Sequence, residues 1–293
     1  MKVLIVGGAG FVGRHLTSAL RAVGHDCIIT SRYPRPDSSL PAIQVDYEKV
    51  IPPAFWQQHL KGIDCVINAA GILVETSRAH FNNIHHLGPC ALFQACEKAG
   101  ISRVIQISAI GADENAVSPY HQSKKLADDF LRELPVPSVI LQPSLIYGHD
   151  GAGTKMFRRM ARLPLAFVPG KGHQLMQPLH IDDLAALAMR LVERPEIKKE
   201  TVAVVGPRAM TYREYLEVLR AGMGKGKALT IGQPMVLMRA LAQVVQHIPG
   251  STLTPDTLSM LEQGSTGDVT RFSELLGRVP RDPEVFISHQ PTP

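Results

Sequence analysis

The sequence predicts an α/β protein with a doubly wound parallel sheet and a smaller C-terminal lobe. Three observations predict it. Short apolar runs rich in Val and Ile recur along the first half, as strands covered on both faces read. Longer stretches with helical spacing fill most of the gaps between them. The first run ends in a glycine-rich turn, "VLIVGGAGFVGRHL", that opens a helix.

The predicted strands are Val3–Val6, Cys27–Thr30, Ile43–Val45, Cys65–Asn68, Val104–Ser108, Val139–Leu141 and Val202–Val205. Between the fifth and sixth, Leu126, Ala127, Phe130, Leu131 and Leu134 form an apolar stripe at helical spacing. The alternation weakens after Gly148, where "GHDGAGTK" and "PGKGHQ" read as loops. The expected organisation is a dinucleotide-binding half over residues 1–148 and a substrate- or partner-facing lobe over 149–293, which recrosses into the sheet near 202–205. The tail "HQPTP" reads as disordered.

Composition narrows the function classes. With 293 residues and 45% hydrophobic content, the chain can bury a large core. No run of eighteen uncharged apolar residues suggests a membrane span. The N-terminal apolar run is cut by glycines and lacks a secretory cleavage pattern. Cys27, Cys65, Cys90 and Cys96 have no C-x-x-C spacing and read as thiols of a reducing cytoplasm. The net charge of +5 contains no basic block, so it argues for no nucleic-acid partner; an anionic cofactor or a membrane surface fits as easily. The expected location is therefore cytoplasmic, with the periphery of a membrane open.

Gly7, Gly10 and Gly13 have the G-x-x-G-x-x-G spacing of a Rossmann-like phosphate turn. One glycine permits the turn, the next lets backbone approach a pyrophosphate, and the last lets helix and strand pack closely. Phe11 and Val12 open the helix, whose N-terminus offers unpaired N–H groups and a positive dipole. A tight strand–helix turn without a ligand is the plainer reading, but its place directly after the first strand favours a dinucleotide.

NAD sites usually carry an acid at the end of the second strand, to hold the ribose 2′-hydroxyl. This chain has Ser31 and Arg32 there. An arginine can fork onto a 2′-phosphate that an acid would repel, so NADP(H) is expected over NAD(H). Arg14 and Arg35 are second candidates, and a solvated surface arginine is the plainer reading of Arg32. Asp46, with Tyr47 beside it, follows the third strand and would reach the adenine amino group; an exposed loop aspartate fits as well.

The stretch "SPYHQSKK" places Ser118 as a helix cap, Pro119 at the first helical position, and Tyr120 one turn before Lys124. A lysine cation and a helix N-terminus both favour tyrosinate. Lowering a tyrosine by three pH units takes roughly 4 kcal/mol, attainable only in a closed site. Y-x-x-x-K alone is common by chance. The strand ending at Ser108, twelve residues earlier, brings a second hydroxyl to the carboxyl edge of the sheet, where doubly wound sheets bind ligands.

With "GGAGFVG", "NAAG" (Asn68–Gly71), "ISAIGAD", "YHQSK", "QPSLIYG" and "QPLHIDDLA", the chain resembles the short-chain dehydrogenase/reductase superfamily from Met1 to about Phe286. It is most similar to the extended and atypical branches, the epimerase/dehydratase-like proteins. The resemblance implies Tyr120 as general acid/base, Ser108 as the substrate-polarising hydroxyl, and Lys124 holding the nicotinamide ribose and tuning the tyrosine. It also implies that Ala69, Ala70 and Gly71 line the cofactor and that Pro143 approaches the nicotinamide. "NNIHHLGPCALFQACEKAG" and "MTYREYLEVLRAGMG" look like the subgroup containing the NADPH-binding accessory subunit of respiratory complex I, in which the nucleotide is often structural. Two departures stand out: His85 where epimerases usually have asparagine, and Gln142 where arginine is common. UDP-sugar specificity is therefore not carried over.

Two readings follow. One is an NADP(H)-dependent oxidoreductase acting on a carbonyl or alcohol, with an epimerase or dehydratase as a variant. The other is a non-catalytic NADPH-binding accessory or assembly protein. His180, Asp182 and Asp183 offer too few converging ligands for a metal, and Asp182 is expected to cap the helix running through Leu191. The apolar segment 234–249 is expected to pack as a buried helix; the alternative is a flap toward an apolar substrate, or peripheral association with a membrane complex.

Overall fold

The computed structural model describes residues 1–34, 40–49, 51–248 and 251–287. Arg35 and the tail "HQPTP" lie outside them. The chain begins β1 (Lys2–Val6), α1 (Phe11–Ala22), β2 (Asp26–Ser31), β3 (Ala42–Gln44), α2 (Pro53–His59) and β4 (Cys65–Asn68). A π-helical turn (Asn82–Leu87) leads into α3 (Gly88–Lys98), followed by β5 (Arg103–Ile107), α4 (Pro119–Glu133) and β6 (Ser138–Pro143). Next come β7 (Ile146–Tyr147), α5 (Ala152–Arg162), β8 (Leu165–Pro169), β9 (Leu175–Met176), β10 (Leu179–His180), α6 (Ile181–Val192) and β11 (Glu200–Val204). The remainder is β12 (Met210–Thr211), α7 (Tyr212–Gly222), β13 (Leu229–Gln233), α8 (Met235–Val245), α9 (Pro255–Gln263) and α10 (Thr270–Leu276).

Seven strands form one sheet in the order β11-β6-β5-β4-β1-β2-β3. The pairs from β3 through β6 are parallel. Each sheet strand overlaps one of the seven predicted apolar runs. The order reverses between β1 and β4, which places a crevice beyond their carboxyl ends. β4 and β5 are buried along their full length, as strands covered by helices on both faces must be.

The chain divides into two compact units, Met1–Gln142 with Ala185–Val202, and Pro143–Leu184 with Ala203–Pro293. The core of the first gathers Leu4, Val66, Val104 and Ile140 of the sheet with Trp56, Leu92, Phe93 and Leu131 of the helices. The second has its own core, in which Phe157 of α5 meets Tyr212 and Tyr215 of α7.

Three expectations are corrected. On α4, Leu126 is exposed and the buried face is His121, Lys124, Ala127, Asp128 and Leu131, so polar groups interrupt the apolar stripe. Asp182 lies inside α6 rather than before it; the neighbouring Asp183 is fully buried and paired with Arg278 and Arg281. On α8 only Ala242 is buried, and the other apolar side chains are partly or largely open to solvent.

Candidate nucleotide and Ser–Tyr–Lys site

The glycine turn is built for close approach. Gly7 adopts φ +77°, a conformation that side chains resist, and a Cβ there would lie 2.7 Å from the Ala70 nitrogen. A Cβ on Gly13 would lie 2.2 Å from the Gly7 carbonyl oxygen, so only glycine lets α1 seat on this turn. The Gly7 N–H donates to Thr30 Oγ1 at 3.0 Å, which ties the turn to β2. Gly10 caps α1 with no side-chain partner, and Phe11 and Val12 begin the helix. The first-turn N–H groups therefore remain available to an anion.

At the end of β2, Ser31 is half-buried and Arg32 is exposed. Ser31 Oγ accepts from the Tyr33 N–H at 3.2 Å. Arg14 reaches back to the Ala9 carbonyl at 2.9 Å. Asp46 is half-buried and accepts from the Glu48 N–H. Tyr47 turns into the core with its ring edge against Trp56.

Beyond β4, Asn68 is fully buried and donates to Gln106 Oε1 at 2.7 Å. This amide pair locks the carboxyl ends of β4 and β5. Ala69, Ala70 and Gly71 follow directly, and Ser108 follows β5, so these residues stand with Gly7 along three neighbouring strand ends. Pro143 ends β6 and is buried; the preceding Gln142 donates to the Ala112 carbonyl at 3.1 Å.

Ser118 caps α4 by accepting from the His121 N–H, and Pro119 occupies the first helical position, as the sequence predicts. Tyr120, Lys124 and Asp128 follow at one-turn intervals on one face. Lys124 is buried, and its ammonium donates to the Ile107 carbonyl at 3.1 Å and the Ala70 carbonyl at 3.4 Å. Asp128 is fully buried and accepts from Ser108 Oγ at 2.5 Å. Its other oxygen is buried near the Gln106 amide, which helps hold the carboxylate form, outside regular hydrogen-bond geometry.

Burial dominates the titration of all three groups. It lowers Lys124 to about 8, against the pull of Asp128. It raises Asp128 to about 6, against the Ser108 hydrogen bond and the Lys124 charge. The Tyr120 phenol is pushed up to about 12 by burial, with Asp128 adding to the rise. This corrects the expectation that the lysine and the helix N-terminus lower it: desolvation and a carboxylate two turns away outweigh both.

His85 sits in the π-helical turn, fully buried between Phe81, stacked at 5.2 Å, and the edge of Tyr120 at 5.3 Å. Its Nε2 accepts from the Ile72 N–H at 3.0 Å, which assigns the proton to Nδ1 and directs it to Ser123 Oγ. Ser123 in turn donates to the Tyr120 carbonyl at 2.7 Å. Burial and the Lys124 charge hold His85 near 2, so it stays neutral. A Cβ on Gly71 would lie 3.2 Å from Lys124 Nζ and 3.4 Å from His85 Nε2; the glycine admits both side chains.

Sequence reasoning missed Asp128, the Asn68–Gln106 pair and the Ser123 link. The spacing Tyr120, Lys124, Asp128 carried a signal for the first. The amide pair depends on register between two strands and carried none.

A doubly wound sheet with a glycine turn at its switch point and a Tyr-x-x-x-Lys helix beside it defines an NAD(P)-binding fold of the extended short-chain dehydrogenase/reductase type. The family model for the NAD-dependent epimerase/dehydratase family matches residues 3–206, and the chain belongs to that family. It is 27% identical over 239 residues to ceramide reductase of Caulobacter vibrioides, covering 80% of this chain and 75% of the relative. It is 23% identical to NADH dehydrogenase 1 alpha subcomplex subunit 9 of Dictyostelium discoideum, over 78% of this chain and 65% of that one. Among solved structures, human epimerase family protein SDR39U1 with NADPH superposes at TM-score 0.72 with 20% identity, covering 98% of this chain and 97% of that chain.

Proposed function

We propose that the protein is an NADP(H)-dependent oxidoreductase that reduces a carbonyl substrate. The observation that carries this reading is the single face of α4 presenting Tyr120 and Lys124 beside the strand ends that hold the glycine turn and Ser108. The nicotinamide supplies hydride when bound. The glycine turn and the α1 N-terminus would hold the pyrophosphate, and Ala69, Ala70, Gly71 and Pro143 would line the rest of the cofactor. Exposed Arg32, with Ser31, would take the 2′-phosphate, and Asp46 would reach the adenine; Tyr47, expected beside it, is turned into the core and takes no part.

Tyr120 is the proton donor. Burial holds the phenol protonated at neutral pH, so the proton a developing alkoxide needs is present on Tyr120. Lys124 serves the nicotinamide ribose and the tyrosine. Ser108 gives its own proton to Asp128, so toward the substrate it offers lone pairs. The likeness to a ceramide reductase supports long-chain carbonyl lipids as the first substrates to try.

A second reading, a non-catalytic NADPH-binding accessory or assembly protein, is favoured by the likeness to a complex I subunit and by the solvent-facing apolar helix α8. One experiment separates them. Bound nucleotide is identified, and NADPH oxidation is followed on a carbonyl panel with wild type and Tyr120→Phe. Turnover that falls at least about 100-fold in the variant, with nucleotide affinity kept, supports the enzyme. Retained NADPH with no turnover on any substrate supports the accessory role.

A further inference from the structure

Two helices of the second unit present surfaces unlike those of ordinary solvated helices. On α8, Leu237 (54% exposed), Leu241 (44%) and Val244 (69%) recur at i, i+4 and i+7, and Ile248 (57%) continues the spacing one turn on. Val236, at 77%, flanks them. The one buried side chain of the helix, Ala242, lies on another face. The apolar stripe of a helix normally meets the core; here it faces outward.

On α5, Lys155, Arg158, Arg159 and Arg162 recur at i, i+3, i+4 and i+7, opposite the buried Thr154, Phe157 and Ala161. With His149 they line a surface depression of about 240 Å³. The Arg158 Nε is buried with no hydrogen-bond partner. Among the described residues, the arginine ion pairs of this unit are made by Arg208, Arg239, Arg271, Arg278 and Arg281, and the α5 cations take no carboxylate. Both helices belong to the second unit, and Thr252, seven residues past the end of α8, donates to Met156 Sδ of α5.

We propose that this surface docks on an anionic lipid bilayer, the α5 cations against headgroup phosphates and the Leu237–Leu241–Val244 stripe in the acyl boundary. Charge decides the occupant. A two-fold contact centred on α5 would set one basic helix face against the other. A bilayer supplies continuous negative charge beside apolar depth, the pair of features these helices offer. No helix among the described residues is long and apolar enough to cross a membrane, so the protein lies on the bilayer through this face.

The test is co-sedimentation of the full chain with extruded vesicles of phosphatidylcholine alone, or with about 30% phosphatidylglycerol. The expected result is binding to the anionic vesicles, at least about tenfold weaker on the neutral ones, and weakened when salt rises from about 0.1 M to about 0.5 M. A basic group near such a surface is worth about fivefold in partition, so Arg159→Gln with Arg162→Gln lowers binding about 25-fold. Leu237→Ser with Leu241→Ser abolishes the binding that survives high salt. All these positions are exposed, and far-UV circular dichroism with bound NADPH confirms the fold of each variant; binding that fails while nucleotide is retained separates this proposal from the nicotinamide chemistry. Equal binding to both vesicle types, or none, overturns it. So does a stable dimer, or a complex with a soluble acidic protein, that forms without lipid and is broken by the leucine variant.

Discussion

Replacing Asp128 by asparagine isolates the least expected group of the site. The carboxyl is fully buried, and its pKa rises from 3.8 to about 6. The folded protein therefore holds this proton more tightly than the unfolded chain. The stability this gives is present at low pH and lost as pH rises through the window from 3.8 to about 6. The rise corresponds to roughly 3 kcal/mol, most of it lost between pH 4 and pH 7. The amide of Asp128→Asn does not titrate and keeps an oxygen for Ser108. Other carboxyls titrate in both proteins, so the difference between them reports Asp128 together with its buried partner Lys124. Urea unfolding at steps of pH should show the variant gaining roughly 2 kcal/mol relative to wild type from pH 4 to pH 7. A difference flat to within about 0.5 kcal/mol over that range would refute the reasoning, because it would mean that water or a partner already solvates the carboxylate.

Arg32→Ala should weaken NADPH binding by about tenfold or more and leave NADH binding unchanged, measured by calorimetry; equal losses would remove the arginine from the 2′-phosphate. Gly13→Ala drives a methyl group into the Gly7 carbonyl, so it should cost about 1–3 kcal/mol in thermal unfolding and abolish nucleotide binding. His85, held near 2, should keep one neutral tautomer with the proton on Nδ1 from pH 5 to pH 8; long-range nitrogen–proton correlation spectra would show a titration if the burial argument fails.

Much of the fold was legible because parallel strands covered on both faces must be continuously apolar, and Val3–Val6, Cys65–Asn68 and Val104–Ser108 read that way. The glycine turn was legible for a steric reason: residues 7 and 13 tolerate no side chain. What the sequence hid depends on distance in space. Lys124 and Asp128 are charged residues on a helix, where solvation is the usual fate, and only the packing of α4 on the sheet buries them. The phenol's own burial, with Asp128 adding to it, gave the Tyr120 shift the direction opposite to the expected one. Segment 234–249 misled in the opposite sense: its apolar composition suggested a core helix, yet α8 turns most of that surface outward.

The ammonium of Lys124 also works as a rivet. It clasps the backbone oxygens of Ile107, the last residue of β5, and Ala70, just beyond the end of β4, and so holds together the ledge on which a coenzyme would rest. A descendant that abandoned chemistry would still have a mechanical reason to keep that cation. Its presence in a sequence is thus a weaker witness to turnover than the hydroxyl one turn above it.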